Sequence, residues 1–215
     1  MVNIKLFPFN PFYENTYVLS DETGECVIID PGCHDSEEEQ ELKSYIEKKN
    51  LRPVKLLNTH CHIDHVFGNP FVSENWKLQL EINPLDLKVL ESFPLVCQMY
   101  GFNGKIQPEP IMTLLEGKQV KFGNTVLEIF FTPGHSPGSV CFYHAEQKFL
   151  IGGDVLFQGS IGRTDLPLGD HDTLLKSIRE KLFVLPDDVV VYSGHGSPTK
   201  IGIEKKTNPF VGEGS

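Results

Sequence analysis

The chain has 215 residues, a mass of 24.2 kDa and a formal net charge of −10, with 40% hydrophobic and 22% charged residues. A chain of this length buries a sizeable core without disulfide staples, and its composition excludes wholesale disorder. The acidic balance repels phosphate backbones and anionic lipid, so neither nucleic acid nor a membrane surface is expected as partner.

No run approaches the ~18 apolar residues of a membrane helix. The opening MVNIKLFPF has no basic leader region and is broken at Pro8, so no secretory signal is expected. Cys26, Cys33, Cys61, Cys97 and Cys141 are odd in number, irregularly spaced and free of any CxxC. Such usage fits reduced thiols in a cytoplasmic protein.

In chain order, β-like runs occupy Val2 to Phe7, Asn15 to Ser20 and Cys26 to Asp30. Ser36 to Glu39 has the form of a capping box opening a helix to about Lys49, with Leu42, Tyr45 and Ile46 on one face. A buried-type strand follows at Val54 to Leu57, then helical pieces near Val72 and from Pro84 to about Glu91. Ser92 to Pro110, rich in Pro, Gly and polar residues, reads as a long loop, a linker or a flap over a site. Val120 to Phe122 and Val126 to Thr132 flank the hairpin-type turn Gly123-Asn124. Val140 to His144 and Lys148 to Ile151 form another pair. A helix spans Asp172 to Leu182, a last strand Val189 to Tyr192, and the end is short and polar. Strands dominate each half, with helices to cover one side of each. The reading is an α/β (α+β) architecture, a four-layer αββα sandwich forming one domain over residues 1–215.

The chemistry is concentrated at strand ends. His60, His62 and His65 follow Val54 to Leu57, His135 follows Leu127 to Phe131, Asp154 follows Lys148 to Ile151, and His195 follows Val189 to Tyr192. Loops after strand ends converge at a sheet edge, so four distant segments are expected to meet. In Thr59-His60-Cys61-His62-Ile63-Asp64-His65, the two histidines two apart on a near-extended turn can chelate one metal. Asp64 and His65 can serve a second, and Cys61 alternates away into packing. Imidazole with carboxylate suits zinc, iron or manganese, and the lack of ligand-spaced thiolates argues against a structural zinc site. One such histidine alone is most often a hydrogen-bonded surface residue; HxHxDH with three matched strand-end ligands is not. His34, His144 and His171 have no place in this pattern.

Asp30-Pro31-Gly32, the THCHIDH run, Thr132 to Ser139 (TPGHSPGS), Gly152-Gly153-Asp154 and Ser193 to Gly196 (SGHG) resemble the five motifs of the metallo-β-lactamase fold superfamily. Gly162 to Pro167 (GRTDLP) and the TKIGIEK end resemble its short glyoxalase II-like hydrolases, hydroxyacylglutathione hydrolase-like proteins without a C-terminal helical region. The resemblance implies that His60, His62 and His135 hold one ion, that Asp64, His65 and His195 hold another, and that Asp154 bridges them. It implies two divalent ions, zinc foremost, with iron or manganese also accommodated. Asp30 would stand behind the ligands. Arg163, near the substrate with Asp165, reads either as a bidentate grip on a substrate carboxylate, as do Lys200, Lys205 and Lys206 more weakly, or as the partner of Asp165 in a structural ion pair. Two ions sharing a water bring its pKa towards neutrality, giving a hydroxide for attack on a carbonyl. Asp64 and Asp154 are then the catalytic carboxylates, Asp64 as metal ligand first.

The expected activity is hydrolysis of small acyl thioesters such as S-lactoylglutathione, with the thioester as a small-molecule partner. The alternative is a mononuclear iron persulfide dioxygenase of the same fold, against which Gly196 and the TKIG tail speak. Nucleases of the fold are disfavoured by the acidic charge, β-lactam hydrolysis by the bridging aspartate, and a non-enzymatic binding module by the complete ligand set.

Overall fold

The computed structural model describes residues 1–214. A first six-stranded sheet runs in the order β1 (Asn3–Phe9), β2 (Glu14–Ser20), β3 (Glu25–Ile29), β4 (Arg52–Leu57), β5 (Leu80–Glu81) and β6 (Pro110–Ile111). Its first two pairings are antiparallel and the remaining three parallel. In the second sheet, β7 (Gln119–Phe122), β8 (Thr125–Phe131), β9 (Val140–His144) and β10 (Phe149–Gly153) pair antiparallel in turn. β13 (Val190–Ser193) then joins β10 in parallel, and β14 (Thr199–Lys200) closes the edge. Between them, β11 (Leu156–Phe157) and β12 (Ser160–Ile161) form a separate small hairpin.

Alternation along the strands shows why these sheets stack. In β3, Cys26 and Ile28 join the apolar cluster under the N-terminal helices, whereas Val27 and Ile29 face the layer between the sheets. In β10, Phe149 and Ile151 enter that same central layer, and Leu150 joins a third cluster with Leu174, Ile178 and Leu182. Side chains two apart share a face, so each central strand feeds two layers and reads as an uninterrupted apolar run. The result is the αββα order. On the first sheet's outer face lie α1 (Ser36–Lys48), α2 (Ile63–Val66), α3 (Asn69–Trp76), α4 (Leu87–Glu91) and α5 (Phe93–Tyr100); the second carries α6 (His171–Ser177), prolonged through 178–182, and α7 (Ile201–Thr207).

Three local readings are corrected. The N-cap of α1 is Asp35, whose carboxylate accepts from the Glu37 and Glu38 amides, so the capping group lies one residue before Ser36. Residues 92–110 are not all loop. Pro94 sits in the first turn of α5, where no amide hydrogen is needed, and Gly101 ends that helix at φ +76°. The polar end likewise holds a helix, α7, because Ile201 and Glu204 turn inward. No helix among the described residues is long and apolar enough to cross a membrane.

Candidate metal centre

The ends of β4, β8, β10 and β13 deliver their loops to one edge of the sandwich. At β10 the turn into Asp154 passes through Gly153 at φ +48°, where a side chain would strike Thr59. Beyond β13, a Cβ on Gly194 would fall onto the Asp154 carboxylate. Backbone bonds hold these loops together: the Val140 amide donates to Thr59 O at 2.9 Å, and the Asn15 amide to Gly194 O at 2.7 Å.

All seven expected ligand side chains meet here. His135 Nε2 lies 3.2 Å from His60 Nε2 and 2.8 Å from His62 Nδ1. His195 Nε2 lies 3.1 Å from Asp64 Oδ2, which is 3.7 Å from His65 Nε2. Asp154 stands between the two groups, its Oδ2 3.5 Å from both His135 Nε2 and His195 Nε2, its Oδ1 3.5 Å from His65 Nε2.

The surroundings decide which ring nitrogens face inward. Carbonyls only accept, so His135 Nδ1–H donates to Arg163 O at 2.7 Å and His195 Nδ1–H to Phe12 O at 3.1 Å. Asp30 accepts from His65 Nδ1 at 3.2 Å. The Thr59 hydroxyl spends its proton on Asp30 Oδ2 at 2.6 Å, which leaves its oxygen to accept from His60 Nδ1 at 3.1 Å. Four imidazoles therefore turn an Nε2 towards the cluster. His60 and His135 present unprotonated nitrogens to one another at 3.2 Å, a repulsive arrangement that a cation relieves.

Electrostatics agree. Burial, aided by the neighbouring histidines, pushes His60 well down and His62 down to about 3, so both are neutral ligands. Burial works against ionised Asp154 and Asp64, yet His65 with the other imidazoles holds both below the usual carboxylate range. At His65 burial works against a proton, but Asp64 and Asp154 outweigh it and hold the ring well above its ordinary value. That point demands positive charge, which a proton or a metal ion supplies. Among the described residues, His65 Nε2 and Asp154 Oδ1 are buried without a hydrogen-bond partner. Orphaned buried polar atoms are rare, and two in one cluster fit a bound ion. The donor set of imidazoles and carboxylates, grouped as His60, His62, His135 and as Asp64, His65, His195, suits divalent metals.

Two buried carboxyl groups beside the cluster escaped sequence reasoning. Asp86, in the turn before α4, is fully buried. It accepts from the Cys61 amide, the Ser136 hydroxyl and the Gly138 amide, each at 2.6 Å, and so ties the His60–His62 loop to the His135 loop. Burial pushes its carboxyl up against those three donors. Glu14, also fully buried, puts Oε1 3.8 Å from His65 Nδ1 behind Asp30. Neither belongs to a spaced motif; a lone carboxyl inside an apolar stretch, Leu85-Asp86-Leu87, is the only signal. Arg163 and Asp165 bind each other at 2.7 and 2.9 Å on the exposed cleft edge, so the Arg163 group that reaches the cluster is its carbonyl. Cys61 packs in the first apolar cluster, and His171 opens α6 behind its cap Asp170.

The cluster floors a cleft of about 760 Å³. Its walls come from α4 and α5, from Phe12, from the β11–β12 hairpin and from residues 161–168.

Residues 9–195 match the family model "Metallo-beta-lactamase superfamily". The chain is 39% identical over 205 residues to the probable metallo-hydrolase YqgX of Bacillus subtilis, spanning 95% of each chain. It is 38% identical over 213 residues to the hydroxyacylglutathione hydrolase GloC of Haemophilus influenzae, spanning 98% of each. Among solved structures it resembles the BLEG-1 B3 metallo-beta-lactamase (36% identity, 97% and 99% of the two chains, TM-score 0.86). TTHA1623 in a di-iron-bound form is equally similar (37%, 96% and 99%, TM-score 0.86). ETHE1 from Myxococcus xanthus stands further off (25%, 97% and 84%, TM-score 0.78). Fold, strand-end ligands and full-length relatives agree: the chain belongs to the metallo-beta-lactamase superfamily.

Proposed function

We propose that the chain is a metal-dependent hydrolase of small acyl thioesters, with S-lactoylglutathione as the first substrate to try. The observation that carries this reading is Asp154, poised between two groups of three ligands on the floor of a cleft. Likeness to the hydroxyacylglutathione hydrolase GloC supports the thioester. His60, His62 and His135 would hold one ion, Asp64, His65 and His195 the other, and Asp154 both. Bound there, a pair of divalent ions supplies Lewis acidity that activates water and stabilises charge on a carbonyl oxygen. Zinc is the leading candidate, and the same donors accept iron or manganese.

The chain's own contribution is positioning and charge. Hydrogen bonds from Nδ1 to Asp30, Thr59, Phe12 and Arg163 hold four imidazoles ready before any ion arrives. Asp64 and Asp154, kept ionised by the surrounding imidazoles, supply the anionic ligands and leave Asp64 little basicity to act as a proton acceptor. A thiolate leaves at an ordinary thiol pKa of about 8.5, so no strong general acid is required. The five cysteines are free and buried, which fits a reducing cytoplasm.

A second reading, iron-dependent persulfide oxidation, draws on the likeness to ETHE1. Zinc-loaded and iron-loaded protein should hydrolyse S-lactoylglutathione and lose that turnover on chelation, with no oxygen uptake on a persulfide. Oxygen uptake without thioester hydrolysis reverses the order of the two readings. Asp154→Ala should abolish hydrolysis; full activity in that variant at matched metal content refutes the two-ion arrangement.

A further inference from the structure

The cleft has a chemical character that the ligand cluster does not explain. Its wall on α4 and α5 is mostly apolar: Val89, Phe93, Val96 and Tyr100 line it beside Lys88 and Ser92, and Phe12 continues it from the β1–β2 turn. Lining anions are confined to Asp64 and Asp154 in the cluster itself. Two lining cations remain, Lys88 and Arg163. The Arg163 guanidinium is engaged by Asp165 through two bonds, so Lys88 is the one lining cation without an ion pair among the described residues. Lys88, on α4, can meet one carboxylate of a thiol carrier that has two, and nothing else on this wall meets the other. At the mouth, Tyr100 and Leu168 leave 54% and 57% of their surface to water, an exposure that an apolar ligand would cover.

We propose that the α4–α5 wall is a subsite for an aliphatic chain, and that the substrate is a thioester whose acyl group carries several methylenes beyond the carbonyl. The inference rests on the thioester reading above and narrows it. The wall opens directly onto the cluster, since His62, Asp64 and Asp154 line the same cleft, so a carbonyl over the ligands sends its chain along Val96 and Tyr100. A volume of about 760 Å³ is near the upper end of small-molecule sites, and a three-carbon hydroxyacyl group covers only a small part of such a wall. Each methylene removed from water should tighten binding about fourfold.

The test uses S-alkyl N-acetylcysteamine thioethers, which cannot be hydrolysed and carry no charge, titrated calorimetrically into metal-loaded protein. The hexyl compound is expected to bind at least about thirtyfold more tightly than the methyl compound. Val96→Ser/Tyr100→Ala should flatten that gradient while leaving the methyl compound within about twofold of its wild-type affinity. Equal affinity for both chain lengths, no binding of either, or a gradient untouched by the double variant overturns the subsite. Because binding is read without turnover, the two readings fail separately. Hydrolysis of S-lactoylglutathione with no chain-length gradient removes the subsite alone. A gradient with no thioester hydrolysed supports the subsite and removes the thioesterase.

Discussion

Asp86→Asn is the sharpest probe of how the metal centre is built. The wild-type carboxylate accepts from three donors, Cys61 N–H on one oxygen, Ser136 O–H and Gly138 N–H on the other. The amide can present its carbonyl to Ser136 and Gly138, but its NH2 then faces the Cys61 amide, donor against donor. An unmet buried donor costs about 1–3 kcal/mol, and exchanging charge-assisted for neutral bonds costs about 1 kcal/mol more. The expected loss is therefore about 2–4 kcal/mol, and at this chain length each kcal/mol lowers Tm by roughly 2–4 °C. The injury is local: it frees the His60–His62 loop from the His135 loop, so the ion assigned to those three histidines should weaken about 10- to 100-fold. Thermal unfolding of the metal-free protein reads the first effect, and competition with a chromophoric chelator reads the second, one equivalent at a time. A Tm within about 1 °C of wild type with both equivalents unchanged would refute the cross-link as the organising element.

The convergence of the candidate ligands was open to sequence reading because their chemistry is dense. Four candidate ligands fall within His60 to His65, and His135, Asp154 and His195 each repeat the rule of a polar residue just past an apolar strand. The sandwich was open for a related reason: strands buried on both faces leave apolar runs, and the alternation of Ile28 and Ile29 between layers needs no other mark. What stayed hidden is what has no spacing. Asp86 is a single carboxyl whose donors lie 25, 50 and 52 residues away, and Glu14 is another whose neighbour His65 lies 51 residues away. The carbonyls of Phe12 and Arg163 act through backbone that every residue possesses. The guanidinium of Arg163 pairs with Asp165, the ion-pair alternative its sequence allowed, whereas the role of its carbonyl left no mark. α5 was missed because Pro94 and Gly101 break a helix when interior, whereas here they occupy its first turn and its C-terminal cap.

Arg163→Ala removes an exposed ion pair and keeps the carbonyl on His135, so stability should shift by no more than about 0.5 kcal/mol and metal affinity by less than about twofold. A large loss of metal in chelator competition contradicts this. Asp21 ties the β2–β3 turn to the β7–β8 turn through Thr23, Asn124 and Thr125; burial opposes its charge, but these donors pull the carboxyl below its ordinary value. Its contribution is full above the unfolded pKa of about 3.9 and fades as pH falls through the lower folded value. Denaturant midpoints should thus decline less steeply below about pH 4 in Asp21→Asn than in wild type, and parallel curves refute the assignment. The last prediction concerns the relay behind the ligands. Asp30 reaches His65 directly but reaches His60 only through the Thr59 hydroxyl. Thr59→Val keeps the branched shape, removes that link, and leaves Asp30 its bonds from His65 and the Thr59 amide. The ion proposed for His60, His62 and His135 should weaken about 10- to 100-fold, with the other proposed ion unmoved. Asp30→Asn disturbs both branches and should weaken both ions. Stepwise chelator competition separates the two patterns. If Thr59→Val leaves both equivalents tight, the hydroxyl merely fills space and His60 is oriented by packing; if both variants loosen the same single equivalent, Asp30 serves one ion only and the relay is wrong.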